Sequence, residues 1–225
     1  MIYALADLHL DYTNDKSMEV FGPRWQNYQE RIFENWNDIV SPEDTVLIPG
    51  DISWAMDLDH AYIDLKKIDK LNGVKILMKG NHDYWWTSLK KNNSLDLESL
   101  KFLQNNSFQV GDYDICGTRG WIPRDNKDFT DHDEKIFTRE LMRLENSLRA
   151  SAEKKKIVMV HYPPINQDKS LNEFFEICKD YKVDNLIYGH LHGVGHKLIK
   201  EGNFDGIDIK CVAADFIDFK PRRIV

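Results

Sequence analysis

Residues 74–83 of the chain are VKILMKGNHD, an apolar run that leads directly into glycine, asparagine, histidine and aspartate. The run Val74–Met78 is short and rich in aliphatic side chains, which predicts a buried β-strand. The amide, imidazole and carboxylate of Gly80–Asp83 then fall just past the carboxyl end of that strand. In parallel α/β sheets this end is where ligands bind. The stretch therefore predicts a functional site at the edge of a parallel sheet.

Four further segments repeat this arrangement, since each places aspartate or histidine just past a predicted strand. These segments are Asp7-Leu8-His9, Gly50-Asp51, His161 and Gly189-His190-Leu191-His192. Because a parallel sheet gathers its strand ends along one edge, these side chains are expected to meet in one cleft. The set contains carboxylate, amide and imidazole groups and no thiolate. Such ligands favour Mn, Fe, Zn or Co over a closed structural zinc site.

Glycine stands beside the candidate ligands in three of the segments, at Gly50, Gly80 and Gly189. Each of these positions lies where a strand is expected to turn sharply next to the cleft. A residue without Cβ permits unusual backbone angles and a close approach to a metal ion or phosphate. We therefore expect the three glycines to be required by the geometry of the site.

Predicted strands and helices alternate along most of the chain. The strands cover 2–6, 45–48, 74–78, 157–160 and 185–188, and the helices cover 25–40, 59–71, 134–153 and 171–179. This alternation predicts a parallel sheet with right-handed crossovers. The runs 102–103, 108–110 and 113–116 predict antiparallel strands of a second sheet, and 196–199 with 207–212 predict a hairpin. We expect one domain over residues 1–225, with two sheets packed face to face and helices outside.

Length, charge and cysteine usage narrow the class of protein. The 225 residues fit one domain with a sizeable core. A formal net charge of −7 argues against a non-specific nucleic-acid binder. The three cysteines are scattered, which predicts free thiols in a reducing compartment. No signal-peptide pattern is present, and the apolar runs are shorter than the ~20 residues of a membrane span. We expect a cytoplasmic protein without membrane contact.

Taken in order, the five segments resemble the sequence blocks of the calcineurin-like metallophosphoesterase superfamily. The blocks are D-x-H, G-D, G-N-H-D, H and G-H-x-H, and the resemblance runs from Asp7 to His192. It implies an α/β fold, a four-layer α/β/β/α sandwich with two mixed β-sheets. It also implies a dinuclear metal-dependent phosphohydrolase, either a phosphomonoesterase or a phosphodiesterase, with metal-bridged hydroxide as the nucleophile. The cofactors would be two divalent or trivalent metal ions, such as Mn, Fe or Zn.

The resemblance also implies a role for each matching residue. Asp7, His9 and His192 would bind the first metal ion; Asn81, His161 and His190 would bind the second; Asp51 would bridge the two. Two cations about 3.5–4 Å apart can hold the attacking and leaving oxygens of an in-line displacement. His82 would act on the phosphoryl group or its leaving oxygen, and Asp83 would orient His82. The alternative for Asp83 is a helix N-cap before Tyr84.

Four residues outside the metal set are candidates for substrate binding. Trp54, Tyr84 and Trp85 follow metal motifs and can line the rim of the cleft, although aromatic residues more often belong to a core. Arg119 follows a predicted strand and can contact a phosphate through two hydrogen bonds. A surface or ion-paired arginine is the alternative.

Three functions remain open at this point. The favoured function is hydrolysis of a small phosphorylated substrate, whose identity would be set by residues 54–59, 84–86 and 117–133. A non-catalytic metal-binding interaction module on the same fold is the second. A nuclease is the third, and the negative net charge makes nucleic acid the less favoured partner.

Overall fold

The structure, a computed structural model, describes residues 1–13, 16–152 and 154–225. The strands are β1 Ile2–Ala4, β2 Thr45–Pro49, β3 Val74–Met78, β4 Leu100–Leu103, β5 Phe108–Val110, β6 Tyr113–Thr118, β7 Lys155–Val160, β8 Asn185–Tyr188, β9 Gly202–Phe204, β10 Ile207–Cys211 and β11 Arg222–Arg223. The α-helices are α1 Tyr28–Ile39, α2 Leu58–Asp69, α3 Leu89–Asn92, α4 Asp131–Arg149 and α5 Glu173–Asp180. Turns of 3-10 helix cover Met18–Phe21, Pro23–Trp25 and Gly193–Leu198.

The described strands form two sheets, and both are mixed. The first has the order β11-β1-β2-β3-β4, in which β1 to β4 are parallel and β11 is antiparallel to β1. The second has the order β5-β6-β7-β8-β10-β9, in which the four central strands are parallel and both edge strands are antiparallel. In each sheet, the carboxyl ends of the parallel strands therefore lie along one edge, where the loops that follow them can carry a site.

Successive side chains of a strand belong to different cores, which shows how the layers are stacked. In β2, Val46 and Ile48 belong to the core that packs against α1 and α2, whereas Leu47 belongs to the core between the sheets. In β7, Val158 packs with α4 and α5, and Met159 packs against the first sheet. Successive side chains of a strand point to opposite faces, so each sheet is covered on both sides. The four-layer α/β/β/α sandwich is thus confirmed.

Local sequence signals explain where two of the helices begin. Helix α4 starts at Asp131, three residues before the predicted Glu134, because Thr130 and Asp133 form a capping box there. It ends at Arg149. The predicted extension reaches position 153, which lies outside the described residues. Helix α1 starts at Tyr28 because Pro23–Trp25 form a separate 3-10 turn.

Two strand predictions were wrong. Leu100–Leu103 pairs in parallel with β3 in the first sheet, because the segment containing α3 carries the chain back across that sheet before β4 begins. Residues 196–199 belong to or flank a 3-10 turn, and the tail hairpin instead pairs β9 with β10. Its loop is Asp205-Gly206, with positive φ at both residues, a pair that favours the tight turn of a hairpin.

The three cysteines match the prediction from the sequence. Cys116, Cys178 and Cys211 are buried free thiols, as predicted. Among the described residues, no helix is both long enough and apolar enough to cross a membrane.

Candidate metal centre

The carboxyl ends of five parallel strands meet at one place. β1, β2 and β3 of the first sheet lead into Asp7, Asp51 and Asn81, and β7 and β8 of the second sheet lead into His161 and His190. Ligand atoms of two groups lie within 4.8 Å of one another. One group is Asp7, His9 and His192, and the other is Asp7, Asp51 and His161. The segments predicted from the sequence therefore do converge.

Several of these residues have unusual backbone angles. Asp7, His9, Asp51 and His190 have φ values of 60°, 44°, 54° and 71°. Non-glycine residues rarely adopt this left-handed region, and such angles cluster at functional sites. Each residue lies in a turn after a strand, where these angles let its side chain join the cluster.

Two of the glycines leave room for the carboxylates. A Cβ on Gly80 would overlap the Asp51 carboxylate, and a Cβ on Gly189 would overlap the Asp7 carboxylate. In addition, the backbone N–H of His190, next to Gly189, donates to Asp7 Oδ2 at 3.0 Å. At these two positions the missing Cβ therefore lets the backbone approach the aspartate side chains closely.

Asp51 occupies the middle of the cluster. Its Oδ2 lies 3.3 Å from His161 Nε2 and 3.7 Å from His9 Nε2, and its Oδ1 accepts a hydrogen bond from the backbone N–H of His82 at 2.8 Å. Burial by itself raises the pKa of the Asp51 carboxyl. The neighbouring His161 and His9 outweigh burial and hold that pKa well below its usual range. Asp51 is therefore an ionised carboxylate between two imidazoles.

Asn81, His161 and His190 form one side of the centre. Asn81 Oδ1 lies 2.6 Å from His161 Nε2 and 3.0 Å from His190 Nδ1. The Nδ1 of His161 is 3.0 Å from the carbonyl oxygen of Pro49, which can accept its proton and leave Nε2 directed at the cluster. Burial, and then the nearby His161, lower the pKa of His190 to about 3, so it is neutral at physiological pH.

Asp7, His9 and His192 form the other side. His192 Nε2 lies 3.5 Å from Asp7 Oδ1. This nitrogen and Nδ1 of His9 are buried without a hydrogen-bond partner among the described residues. Buried polar atoms normally have partners, so these two call for an explanation. An unpartnered imidazole nitrogen beside an aspartate, such as His192 Nε2, is a suitable donor for a metal ion, and the residues present fit one.

Asp215 is part of this side and was missed by the sequence analysis. Its Oδ1 is 2.8 Å from His192 Nδ1, and its Oδ2 accepts from the backbone N–H of Gly193 at 3.1 Å. It also lies 3.1 Å from His196 Nε2. A carboxylate on the far nitrogen of a ligating histidine fixes its orientation and tautomer. The available signal was its position, since Asp215 follows the apolar run that contains β10.

His82 lies against the cluster with its side chain half-buried. Its ring is 4.5 Å from the ring of Trp54 and 5.7 Å from that of His9. Its Nδ1 has no hydrogen-bond partner among the described residues. Burial lowers the pKa of His82, which favours the neutral imidazole near pH 7. His82 is thus positioned to offer a ring nitrogen to a bound molecule.

The predicted partnership between Asp83 and His82 is wrong. Asp83 Oδ2 accepts from the backbone N–H groups of Gly80 and Asp51, and Oδ1 accepts from Ile52, Ser53 and the indole of Trp85. Asp83 therefore ties together the turns after β2 and β3. Burial and the charge of Asp51 raise the pKa of Asp83 to about 6. The Asp83 carboxylate thus faces these backbone N–H groups and the indole of Trp85, whereas the ring of His82 lies near Trp54 and His9.

The four substrate-binding candidates have different positions. The ring of Trp54 stacks on His9 at 4.7 Å and lies in the cleft. Tyr84 is 52% exposed, with its ring 6.1 Å from that of His82. Trp85 is only 1% exposed and belongs to the helix-side core, so it cannot contact a substrate. Arg119 lines a separate cavity beside the buried Glu140.

An apolar cavity of about 350 Å³ opens beside the metal-binding cluster. Its lining consists of three histidines, four large apolar residues and one glycine: His9, Met18, Phe21, Trp25, Trp54, His82, His192 and Gly193. Phe21 and Trp25 were not predicted from the sequence as cleft residues. Trp25 lies in a 3-10 turn before α1, where the helical pattern gives no information about the direction of its side chain.

A family model for the calcineurin-like phosphoesterases matches residues 1–194. The chain belongs to this family. It is therefore a metal-dependent phosphoesterase that acts on phosphorylated substrates. The family generally depends on two metal ions, in agreement with the Asp and His clusters. Asp215 lies beyond the matched residues. A comparison with curated protein sequences finds no match.

Solved structures with the same fold are distant in sequence. A protein of unknown function from Aquifex aeolicus is 20% identical, with a TM-score of 0.53 over 99% of this chain and 94% of that one. The phosphopantetheinyl hydrolase of Mycobacterium tuberculosis is 13% identical, with a TM-score of 0.58 over 100% of this chain and 96% of that one. At these identities the likeness shows the fold alone.

Proposed function

We propose that this phosphoesterase uses two metal ions to hydrolyse a small-molecule phosphomonoester or phosphodiester with an apolar or aromatic organic group. The observation that carries the proposal is the composition of the apolar cleft. Two residues of the metal cluster, His9 and His192, line it together with His82, and the rest of the lining is Met18, Phe21, Trp25, Trp54 and Gly193. A phosphoryl group at the cluster would thus place its organic substituent against Trp25 and Trp54.

The distances support one assignment of metal ligands. Asp7, His9 and His192 would bind the first ion, Asn81, His161 and His190 the second, and Asp51 both. The position of Asp51 Oδ2 between His161 and His9 is what a bridging carboxylate requires. The charge of Asp51 offsets the repulsion between two cations. Manganese, iron and zinc all suit this ligand set.

When bound, the two ions supply a water molecule with a lowered pKa and neutralise charge on the phosphoryl oxygens. The residues of the chain orient the substrate. His82, neutral because burial lowers its pKa, donates a hydrogen bond from a ring nitrogen to a phosphoryl or leaving oxygen. Its backbone N–H is anchored on Asp51 Oδ1. Trp54 packs against both His9 and His82 and limits the access of bulk water.

The cleft favours a small substrate over a polymer. A cavity of about 350 Å³ accommodates one organic group, within the size range of small-molecule sites. The net charge of −7 also disfavours a nucleic-acid backbone. A nuclease is therefore the less favoured candidate. Cytoplasmic localisation stays a prediction.

We further propose that residues 1–225 function as one domain. Both sheets contribute residues to the cluster, and Asp215, near the end of the chain, contacts His192. Strand β11, at Arg222–Arg223, pairs with Tyr3 and Ala4 of β1, the strand that leads to Asp7. Separating either part would remove ligands or their support.

The test is a substrate panel run with Mn, Fe, Zn and Co on p-nitrophenyl phosphate, bis-p-nitrophenyl phosphate and single-stranded DNA. We expect metal-dependent hydrolysis of at least one of the small esters. His82→Ala should lower kcat by about a hundredfold or more while the bound metal content is unchanged. His132→Ala, on the exposed face of α4, is the matched control and should leave kcat unchanged. A strong preference for the DNA would contradict the small-molecule assignment.

A further inference from the structure

A second cavity of about 220 Å³ lies at other strand ends, beside the metal centre. It is formed by residues at the carboxyl ends of β3, β4 and β6 and by one face of α4. Its charged lining consists of Lys79, Arg119, Arg139, Glu140 and Arg143. None of these residues belongs to the proposed metal ligands or to the apolar cleft.

The positive charge of this cavity is only partly compensated. Its lining contains four cationic side chains and one carboxylate, that of Glu140. Glu140 is buried, and its Oε2 accepts a hydrogen bond from Thr118 at 2.6 Å. Its Oε1 accepts from Arg143 at 2.7 Å and lies 3.6 Å from Arg119. One carboxylate cannot neutralise four cations, so the cavity attracts anions although the chain as a whole is acidic.

An unpartnered donor belongs to one of the lining residues. The Nε of Arg119 is buried and has no hydrogen-bond partner among the described residues. The same guanidinium packs on the ring of Trp121 at 4.4 Å, which fixes its plane. A buried donor without an acceptor is costly, and an anionic oxygen would satisfy it. Arginine guanidinium groups are suited to phosphate because their donors match its oxygens.

Chain connections hold this cavity close to the metal centre. Lys79 stands two residues before the proposed ligand Asn81, a separation of at most about 7 Å along the backbone. The carbonyl oxygen of Arg119 accepts hydrogen bonds from the backbone N–H groups of His161 at 3.1 Å and Tyr162 at 2.9 Å. Residues of the cavity thus lie within two positions, or one backbone hydrogen bond, of the proposed ligands Asn81 and His161, so the two sites are neighbours.

We propose that this cavity, lined by Lys79, Arg119, Arg139 and Arg143, binds a second phosphate group of the substrate, distal to the phosphate that is cleaved. The inference rests on the proposed function and extends it, because it identifies the substrate as a molecule with two phosphate groups. The apolar cleft then holds the organic group, and the cationic cavity holds the phosphate that is not hydrolysed.

The test compares two esters that differ only in the distal phosphate. Thymidine 5′-(p-nitrophenyl phosphate) and its 3′-phosphorylated form share the same scissile bond and leaving group. We expect the metal-loaded enzyme to prefer the 3′-phosphorylated ester by about tenfold or more in kcat/KM, mainly through KM, since charge-assisted hydrogen bonds carry the difference. Arg143→Gln should remove most of this preference. Arg139→Gln should reduce it, and because Arg139 is exposed at the rim, this variant should not disturb folding.

Arg149→Gln is the control, an exposed arginine of the same helix that pairs with Glu145 and is not part of the cavity lining. It should keep the wild-type preference. Equal kcat/KM for the two esters, or a preference that survives both Arg139→Gln and Arg143→Gln, would overturn the proposal.

A binding measurement separates this proposal from the proposed function. Calorimetry with thymidine 3′,5′-bisphosphate on the metal-free protein should give weaker binding for Arg143→Gln than for the wild type. If the metal-loaded enzyme hydrolyses neither ester, the proposed function fails. A difference in bisphosphate binding would then still support the cavity as a phosphate site, and identical binding would overturn it. Inorganic phosphate that binds in the cavity without competing with the 3′-phosphorylated ester would mark a separate effector site and also overturn the proposal.

Discussion

The two sheets contribute different chemistry to the metal centre. The loops after β1, β2 and β3 of the first sheet carry the two aspartates and the asparagine, together with His9. The loops after β7 and β8 of the second sheet carry histidines only. These histidines are oriented by other groups, His161 by the Pro49 carbonyl and His192 by Asp215.

This difference shows why both sheets are required. In the proposed dinuclear centre, the first sheet would supply the negative charge that offsets two cations, and the second would supply nitrogen donors in fixed orientations. Neither set alone has the ligands of a dinuclear site. Substitutions on the carboxylate side should therefore abolish metal binding and activity. Substitutions of residues that orient the histidines should weaken metal binding.

The largest effect is expected at Asp51. Asp51→Asn keeps the size of the side chain but removes the charge between His161 and His9. We expect kcat to fall by a factor on the order of ten thousand or more, the scale seen when a central catalytic group is removed. Steady-state kinetics on an aryl phosphate would measure the loss, with metal content determined in parallel. Near-normal turnover in this variant would show that Asp51 does not bridge the ions.

Gly80→Ala should also disrupt the carboxylate side, although it removes no ligand. The added Cβ overlaps the Asp51 carboxylate and has no space to move into. We expect loss of most bound metal and of most activity. Gly195→Ala is the control, because its Cβ meets only ordinary contacts with Leu191, and it should retain both. Equal metal content in the two variants would contradict this explanation.

Asp215→Asn tests the histidine side and should have a moderate effect. The amide cannot hold His192 in the same charged hydrogen bond, so metal affinity should fall by about 10–100-fold. Competition with a chelator would measure it. Asp218→Asn, an exposed neighbour paired with Arg24, should bind metal like the wild type. An unchanged affinity in Asp215→Asn would remove Asp215 from the site.

Proton release on metal binding should change with pH. Burial opposes protonation of His161 and His192, but Asp51 raises the pKa of His161 to about 9, and Asp7 with Asp215 raises that of His192 to about 10. Burial lowers the pKa of His9 to about 4, so it is already neutral at pH 7. A metal ion requires neutral imidazole.

It follows that at pH 7 metal binding should release up to two protons per chain, from His161 and His192. The contribution of the two histidines should fall toward zero as the pH rises through 9 to 10, which leaves only the proton from metal-bound water, and the metal affinity should rise over the same interval. Calorimetry in buffers with different ionisation enthalpies would count the protons. A release that does not depend on pH between 7 and 10 would contradict the proposed pairing of these histidines with the carboxylates.

Much of the fold and of the cluster could be predicted from the sequence, for a physical reason. A buried parallel strand is a continuous apolar run, and a ligand at its carboxyl end is the first polar residue that follows. This rule located Asp7, Asp51 and His161, and the structure brings them together. The same rule applies to Asp215, which was missed because the tail was interpreted only as a hairpin.

Other features depend on side-chain direction, which adjacency in sequence does not reveal. Asp83 follows His82, yet its carboxylate is directed at backbone N–H groups of the neighbouring turns. Trp85 follows the metal motif, yet its ring is in the core. The cationic cavity combines strand ends with a helix face more than 20 residues away, as in the contact of Thr118 with Glu140. Such a contact is visible only in the folded chain.

The most direct test of the central claim is a titration of the metal-free protein with Mn²⁺ or Zn²⁺ in which bound metal and hydrolysis are measured together. Two ions held between the two sheets predict binding of two equivalents per chain, with hydrolysis rising as the second equivalent binds. Full turnover in the metal-stripped protein, or saturation of both binding and activity at one equivalent, would contradict the dinuclear centre.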